Sequence, residues 1–243
     1  MKALASPELL AVWEWGEDRH TIDRSLALLA AALPEKSWDE LAALPVGRRD
    51  GLLLELRWRI FGPVLEAHVP CGACGETMEL ELEIRELLAR AGAFEDTEVE
   101  LAVDGWEIRC RLPDSRDLAA IVGCGDDEAG RALLLERCVE TARRVGRDCT
   151  ADQLPGPVID ALSKSLEEAD PLAVIELQST CAECGHVGTE FLDAGSMVWS
   201  EIRSETDRLL REVDILARRY GWTEDEVLAL GPRRRRAYLE LET

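Results

Sequence analysis

The sequence has little of what marks a membrane, secreted or nucleic-acid-binding protein. No apolar run approaches the roughly 18 to 20 residues that span a bilayer, and residues 1–20 lack the long apolar region and cleavage site of a secretory signal. Basic residues are also scarce, since 28 Lys and Arg oppose 49 Asp and Glu and leave a formal net charge of −21. The missing apolar run and signal predict a soluble cytoplasmic protein with no membrane insertion. Because Lys and Arg supply most non-specific affinity for phosphates, the acidic charge predicts that its partners are proteins rather than nucleic acid.

Catalytic signatures are missing as well. The chain has 3 histidines and contains no G-x-S-x-G elbow, no P-loop and no G-x-G-x-x-G after a predicted strand. Its one glycine-rich segment of note, GCGDDEAG, is acidic and therefore unsuited to phosphate, so we interpret it as a loop. These absences predict that the protein is not an enzyme and has no small-molecule substrate.

Two C-x-x-C-G motifs are present and stand far apart in the chain. The first lies in VPCGACGETMEL and the second in STCAECGHVGTE. A C-x-x-C turn presents two sulfurs together, and a structural zinc ion takes four ligands in a tetrahedron. A closed site of four thiolates leaves no position for substrate, so it stabilises a fold. The spacing predicts one structural Zn²⁺ per chain, bound by Cys71, Cys74, Cys181 and Cys184.

Other roles for these cysteines are less favoured. Disulfides are disfavoured by a reducing compartment, and a thioredoxin-like pair requires a C-x-x-C that opens a helix after a strand, which neither motif does. His68 and His186 lie beside the motifs, but four cysteines already fill the coordination number. The remaining cysteines lack the spacing: we interpret Cys110 and Cys138 as core residues, and the roles of Cys124 and Cys149 stay open.

Hydrophobic spacing predicts alternating helical and strand regions. Ser6 and Pro7 indicate a helix start, and Ser37 with Glu40 has capping-box spacing. From residue 64 the period shifts to two on both sides of the first motif, and Asp104-Gly105 is a favoured type I′ hairpin turn. Residues 114–170 return to helical spacing, and the strand, motif, strand order then repeats.

The expected fold class is α+β, with helical N- and C-terminal parts around a small zinc-ribbon-like antiparallel β element that carries a helical insertion. The predicted regions are N-terminal helices in 1–62, the first knuckle and β-hairpins in 63–112, a helical insert in 113–170, the second knuckle hairpin in 171–198, and C-terminal helices in 199–243.

The C-terminal segment LARRYGWTEDEVLALGPRRRRAYLEL allows three interpretations. It fits a DNA-binding helix-turn-helix in which the arginines contact phosphate, although the net charge and the acidic TEDE oppose that role. The arginine run also fits a solvated helix face. The third interpretation is a protein-docking surface, because Arg, Trp and Tyr are favoured at interface centres.

Several segments resemble the T-even-type baseplate protein family of contractile-tailed phages and contractile injection systems. The resemblance is closest over residues 171–241, from DPLAVIELQSTCAECGH to the C-terminal helices, and extends to PCGACGETMELEL and CRLPDSRDLAAIV. Family members often have Cys-Pro at the knuckles, where this chain has Cys71-Gly72 and Cys181-Ala182. That departure leaves the ligand spacing intact.

The resemblance implies a non-enzymatic role in building the baseplate hub, as an assembly chaperone or as a minor component retained in the particle. Hub or spike proteins would be the partners. The residues it implies for partner binding are Tyr220, Trp222, Arg233, Arg234, Arg235, Arg236 and Tyr238. The alternative from the residues alone is a DNA-binding regulator that combines a zinc ribbon with a helix-turn-helix.

Overall fold

Helices form the N-terminal part of the computed structural model, which describes residues 1–90 and 97–241. The capping box of Ser37 and Glu40 is present, with each side chain accepting from the backbone N–H of the other residue. The first helix, however, begins with Ser6 inside it and Ala5 as its N-cap, one residue earlier than predicted. The helices are α1 (Ser6–Gly16), α2 (Thr21–Ala32), α3 (Trp38–Ala42) and α4 (Val46–Phe61).

Each C-x-x-C-G motif lies at the tip of an antiparallel hairpin. The first hairpin consists of β1 (Val64–Pro70) and β2 (Thr77–Glu83), and it leads into α5 (Ile84–Arg90). A four-stranded antiparallel sheet follows, with strand order β3-β4-β5-β6. Its strands are β3 (Glu98–Val103), β4 (Trp106–Arg111), β5 (Val139–Arg144) and β6 (Arg147–Cys149). The predicted Asp104-Gly105 turn joins β3 to β4 with both φ angles positive, at 49° and 77°.

Helices α6 (Ser115–Ile121) and α7 (Asp127–Cys138) connect β4 to β5, and a short 3-10 turn, Ala151–Gln153, leads from β6 to α8 (Gly156–Ala169). The second knuckle hairpin, β7 (Ile175–Thr180) and β8 (Val187–Leu192), then precedes the long helix α9 (Ala194–Tyr220). The described chain ends with α10 (Glu224–Leu228) and α11 (Pro232–Glu240). None of the described helices is both long enough and apolar enough to cross a membrane.

The predicted helical insert, residues 113–170, is not wholly helical, because β5 and β6 lie within it. Helix α7 passes directly into β5 without an intervening Gly or Pro, and the spacing of Leu134, Cys138 and Ala142 continues a helical face across the boundary. The β5–β6 turn is equally hard to predict from the sequence, because Val145 takes a positive φ of 48° that β-branched residues rarely adopt. Gly146, with a φ of 76°, is the one turn residue there, and it lacks the Asn, Asp or Gly that usually precedes it in a two-residue hairpin turn.

The predicted zinc-ribbon-like element is also not a single sheet. Within the described ranges, β1-β2 and β7-β8 are separate two-stranded sheets with no strand pairing between them. The predicted boundary between regions 171–198 and 199–243 falls inside α9, so we place it at Asp193, the N-cap of that helix. Residues 91–96 of region 63–112 and residues 242–243 of region 199–243 lie outside the described residues.

Among the described residues, three hydrophobic clusters hold these elements together. One packs α1 to α4 against α9, and a second packs the sheet of β3 to β6 against α8. The third joins the bases of the two knuckle hairpins, because Leu65 of β1 and Ile175 of β7 both pack in the cluster that contains Leu54 of α4 and Ala194 of α9. Burial of these apolar residues brings the two distant hairpins side by side.

A close backbone contact fixes the start of α4 against the loop before β7. The Gly47 N–H donates to Asp170 Oδ2 at 2.8 Å, and a Cβ at position 47 would lie 2.2 Å from Asp170 Oδ1 and 2.6 Å from the Ala173 nitrogen. We expect Gly47→Ala to lower the free energy of unfolding by about 1–3 kcal/mol, as overpacking does, measured by urea denaturation. Gly156→Ala is the matched control, since its Cβ would meet nothing within 4 Å. A wild-type urea midpoint for Gly47→Ala would contradict the contact.

Candidate metal centre and C-terminal surface

The two knuckles have the same backbone geometry. In the first, Cys71 N–H donates to Glu76 O at 2.7 Å and Gly75 N–H to Cys71 O at 2.8 Å. In the second, the equivalent bonds run from Cys181 to His186 and from Gly185 to Cys181, both at 2.9 Å. Gly75 and Gly185 both take a positive φ, 76° and 71°, which lets the chain turn back into its exit strand. The hairpins therefore present two matching pairs of sulfurs.

The four knuckle sulfurs converge between the hairpin tips. All four lie within 4.8 Å of one another, and both cross-hairpin pairs, Cys71 with Cys184 and Cys74 with Cys181, are separated by 3.7 Å. A tetrahedron of thiolates about 2.3 Å from a zinc ion has edges of about 3.8 Å. The cross-hairpin distances thus fit a tetrahedral metal ion held by these four cysteines.

The electrostatics of the cluster also suit a cation. Backbone N–H groups of Cys74 and Ala73 hold the pKa of the Cys71 thiol down, to about 6. The Glu76 N–H acts in the same direction on Cys74, but the sulfurs of Cys184 and Cys71 outweigh it and raise the pKa of Cys74 to about 12. The Cys71 thiol therefore loses its proton more readily than the Cys74 thiol, because thiolates this close repel one another. A divalent cation bound between the sulfurs would offset this repulsion.

The other candidate ligands lie elsewhere. His68 is exposed and its Nε2 is 3.8 Å from Glu79, and no histidine belongs to the metal-ligand cluster found among residues 1–90 and 97–241. Cys110 and Cys138 are buried in the cluster between the four-stranded sheet and α8, as predicted, and burial raises the pKa of Cys110 to about 11. Cys124 and Cys149 are partly exposed and also stand outside the metal-ligand cluster.

Three of the predicted docking residues form one aromatic group after α9. Tyr220 and Trp222 stack with ring centroids 4.7 Å apart, and Tyr238 meets both rings edge-on at 5.6 and 4.9 Å. Gly221 makes this possible because its φ of 70° ends α9 in the left-handed conformation and turns the chain back. The Tyr220 hydroxyl donates to Tyr238 O at 3.4 Å. The end of α9 and the C-terminal half of the last helix are thereby joined.

The four consecutive arginines have different environments. Arg235 is 1% exposed, so its prediction as a partner-binding residue is wrong. It donates to Glu212 Oε2 at 2.8 Å, to Leu230 O at 2.6 Å and to Ser6 Oγ at 3.1 Å. A helix turns about 100° per residue, so every third or fourth side chain faces the same way and consecutive ones do not. One arginine of the run therefore faces inward.

The three other arginines are exposed. Arg234 is four residues before Tyr238 and so shares its side of α11, and Arg233 faces away from the buried side. Arg236 lies on the opposite flank, with Nε 3.9 Å from Glu240. We call Tyr220, Trp222, Tyr238, Arg233 and Arg234 the C-terminal surface.

Glu212 and Ser6 were missed as structural partners of the arginine run. Glu212 is buried on the stripe of α9 that includes Leu209 and Leu216. A carboxylate on an otherwise apolar helical stripe is a readable signal, because a buried charge requires a partner. Which of the downstream arginines supplies that partner depends on how α11 packs.

The fold and the cysteine cluster define a mixed α and β protein with small antiparallel sheets and a possible metal site of the structural type. The chain belongs to the family of T4 bacteriophage base plate proteins, whose model matches residues 8–197. The resemblance noted from the sequence is thereby confirmed, and the match includes both knuckles. It ends before most of α9, so residues 198–241 lie beyond it. No curated protein and no solved structure matches the chain.

Proposed function

We propose that this protein is a zinc-stabilised assembly factor or minor component of a baseplate hub, acting through protein contacts and without catalysis. Family membership over residues 8–197 is the observation that carries this proposal. The family is structural and generally non-enzymatic. The 3.7 Å separations of the knuckle sulfurs support zinc as the metal, because zinc accepts four thiolates in a tetrahedron.

The C-terminal surface is the proposed docking site for hub or spike proteins in the bacterial cytoplasm. Its aromatic residues are half-buried rather than covered, and its two arginines are exposed. Tyr, Trp and Arg are the residue types that most often dominate binding energy at the centre of interfaces. Binding there would occupy these rings and leave the metal cluster untouched.

The DNA-binding alternative is not favoured. Helix α10, which would have to enter the major groove, has only 5 residues and carries Glu224, Asp225 and Glu226 in its first turn. Carboxylates at that position repel the DNA backbone, and the chain as a whole carries a net charge of −21.

Trp222→Ala tests the docking site. We expect it to weaken co-purification with hub proteins encoded beside the tail tube, sheath and spike genes by about thirtyfold, since truncating a central tryptophan typically costs about 2 kcal/mol of binding. Trp38→Ala is the matched control, because Trp38 is also partly exposed and also pairs with another ring, Trp15. Undiminished co-purification of Trp222→Ala, with circular dichroism like that of the wild type, would remove the docking site.

A further inference from the structure

The first turn of α11 carries the charge that a helix start disfavours. Partial positive charge gathers at the N-terminus of a helix, so acidic residues stabilise that end and basic ones destabilise it. Helix α10 follows the rule with three acidic residues in its first turn. Helix α11 has none there and instead has Arg233 and Arg234 directly after Pro232. Arg233 and Arg234 therefore lower the stability of their own helix.

Arg233 and Arg234 also differ from the two arginines that follow them in their charge pairing. Among the residues that the structure describes, neither forms an ion pair, whereas Arg235 and Arg236 pair with Glu212 and Glu240. The chain has 49 acidic residues against 28 basic ones, so a counterion would be easy to provide. Two adjacent cations that pair with no described residue of so acidic a chain complement an anionic partner.

The aromatic group of Tyr220, Trp222 and Tyr238 is held in place. Arg219 donates to Tyr238 O at 3.4 Å and also to Leu241 O, and the buried Arg235 attaches α11 to α9 and α1. Leu241, which follows α11 directly, adds an apolar side chain that is 55% exposed. A fixed apolar group that shares one side of α11 with Arg234, the residue after Arg233, is suited to a segment that carries both apolar and acidic side chains.

We propose that the C-terminal surface binds an acidic, apolar segment of the partner protein, whose carboxylates pair with Arg233 and Arg234 while its apolar side chains cover Tyr220, Trp222 and Tyr238. This inference rests on the proposed docking function. The bound carboxylates also relieve the unfavourable charge at the start of α11. Because the exposed Glu224 and Asp225 stand nearby in the chain, a segment whose carboxylates occupy a few discrete positions fits better than nucleic acid, whose backbone is charged at every nucleotide.

The test uses the full chain and a labelled peptide of alternating Glu and Leu, with a Gln and Leu peptide as the uncharged counterpart. We expect fluorescence anisotropy to show at least about tenfold tighter binding of the Glu peptide, weakened by salt. The double variant Arg233→Glu with Arg234→Glu should lose about tenfold in affinity while its melting temperature stays equal or rises. Arg236→Glu is the matched control and should change affinity by less than about twofold, since surface charges apart from the contact contribute little.

Equal affinity for the two peptides, or an unaffected double variant, would overturn the proposal. Tighter binding of oligothymidylate, or self-association of the chain that the double variant abolishes, would assign the surface to nucleic acid or to a second copy instead. If Trp222→Ala releases the hub protein and the double arginine variant does not, the docking site is supported and the proposal of an acidic partner segment is wrong. If neither variant releases it, both proposals fall.

Discussion

Cys181→Ser is expected to empty the knuckle cluster of metal and to remove the stabilisation that metal binding provides. The four sulfurs come from two hairpins that share no strand pairing in the described chain, so a metal ion bound by them would be the direct link between their tips. At a free zinc concentration about a thousandfold above its dissociation constant, that link adds about 4 kcal/mol to the free energy of unfolding. Losing one of four thiolates leaves an incomplete tetrahedron with far lower affinity.

The measurement combines metal analysis of freshly purified, reduced protein with urea denaturation in the presence and absence of a chelator. Wild-type protein should contain about one zinc per chain and should lose stability when the chelator is added. Cys181→Ser should have little metal, a lower midpoint and no further response to the chelator. Cys124→Ser is the matched control, because Cys124 is partly exposed and outside the cluster, and it should behave as the wild type does.

Two results would contradict the metal centre. Reduced wild-type protein without bound metal and without a response to the chelator would exclude it directly. Loss of two or four free thiols from the wild type in a thiol titration, reversed by a reductant, would show that the cross-hairpin pairs form disulfides instead.

Arg235→Met is expected to detach α11 from the helical body and to lower the free energy of unfolding by about 3 kcal/mol, because removing one partner leaves a buried charge without compensation. Glu212 is 8% exposed and would keep only Arg208, which donates to its other oxygen at 2.5 Å. The carbonyl of Leu230 and the hydroxyl of Ser6 would lose their donor as well. The stability loss should be visible in urea denaturation, and the amides of α11 should exchange faster with solvent.

Arg236→Met is the control on the same helix. It removes a pair that is exposed on both sides, so its effect should stay below about 1 kcal/mol. Adding Glu212→Leu to Arg235→Met should recover much of the stability, because apolar residues of similar volume can replace a buried ion pair. Equal effects of Arg235→Met and Arg236→Met would contradict the buried position of Arg235.

The local signals of the sequence were reliable where a single short motif decides the geometry. The capping box of Ser37 and the Asp104-Gly105 turn both occur as predicted. Each depends on one side chain and a few neighbouring backbone groups, so no distant contact is needed to produce it. The same holds for the knuckles, whose turns need only two cysteines and the glycine after them.

The errors lie where distant contacts choose between two locally acceptable states. Val139 to Arg144 continues a helical pattern, yet pairing with β4 makes it a strand. The predicted single β element is two hairpins, because their bases pack through Leu65 and Ile175 on α4 and α9 rather than strand against strand. Apolar burial can hold two hairpins together without any hydrogen-bonded edge, and hydrophobic spacing does not distinguish these arrangements.

The sequence by itself determined the four cysteines, their knuckle spacing and the resemblance to baseplate proteins, because spacing along the chain is enough to recognise each of them. The tertiary structure alone decided that all four sulfurs converge within 4.8 Å. It also divided one run of arginines into a buried ion pair, an exposed pair and two cations that pair with none of the residues the structure describes. That division follows from the helical turn of about 100° per residue combined with the packing of α11 on α9. Four consecutive arginines therefore take different roles only because α11, which carries them, packs against α9.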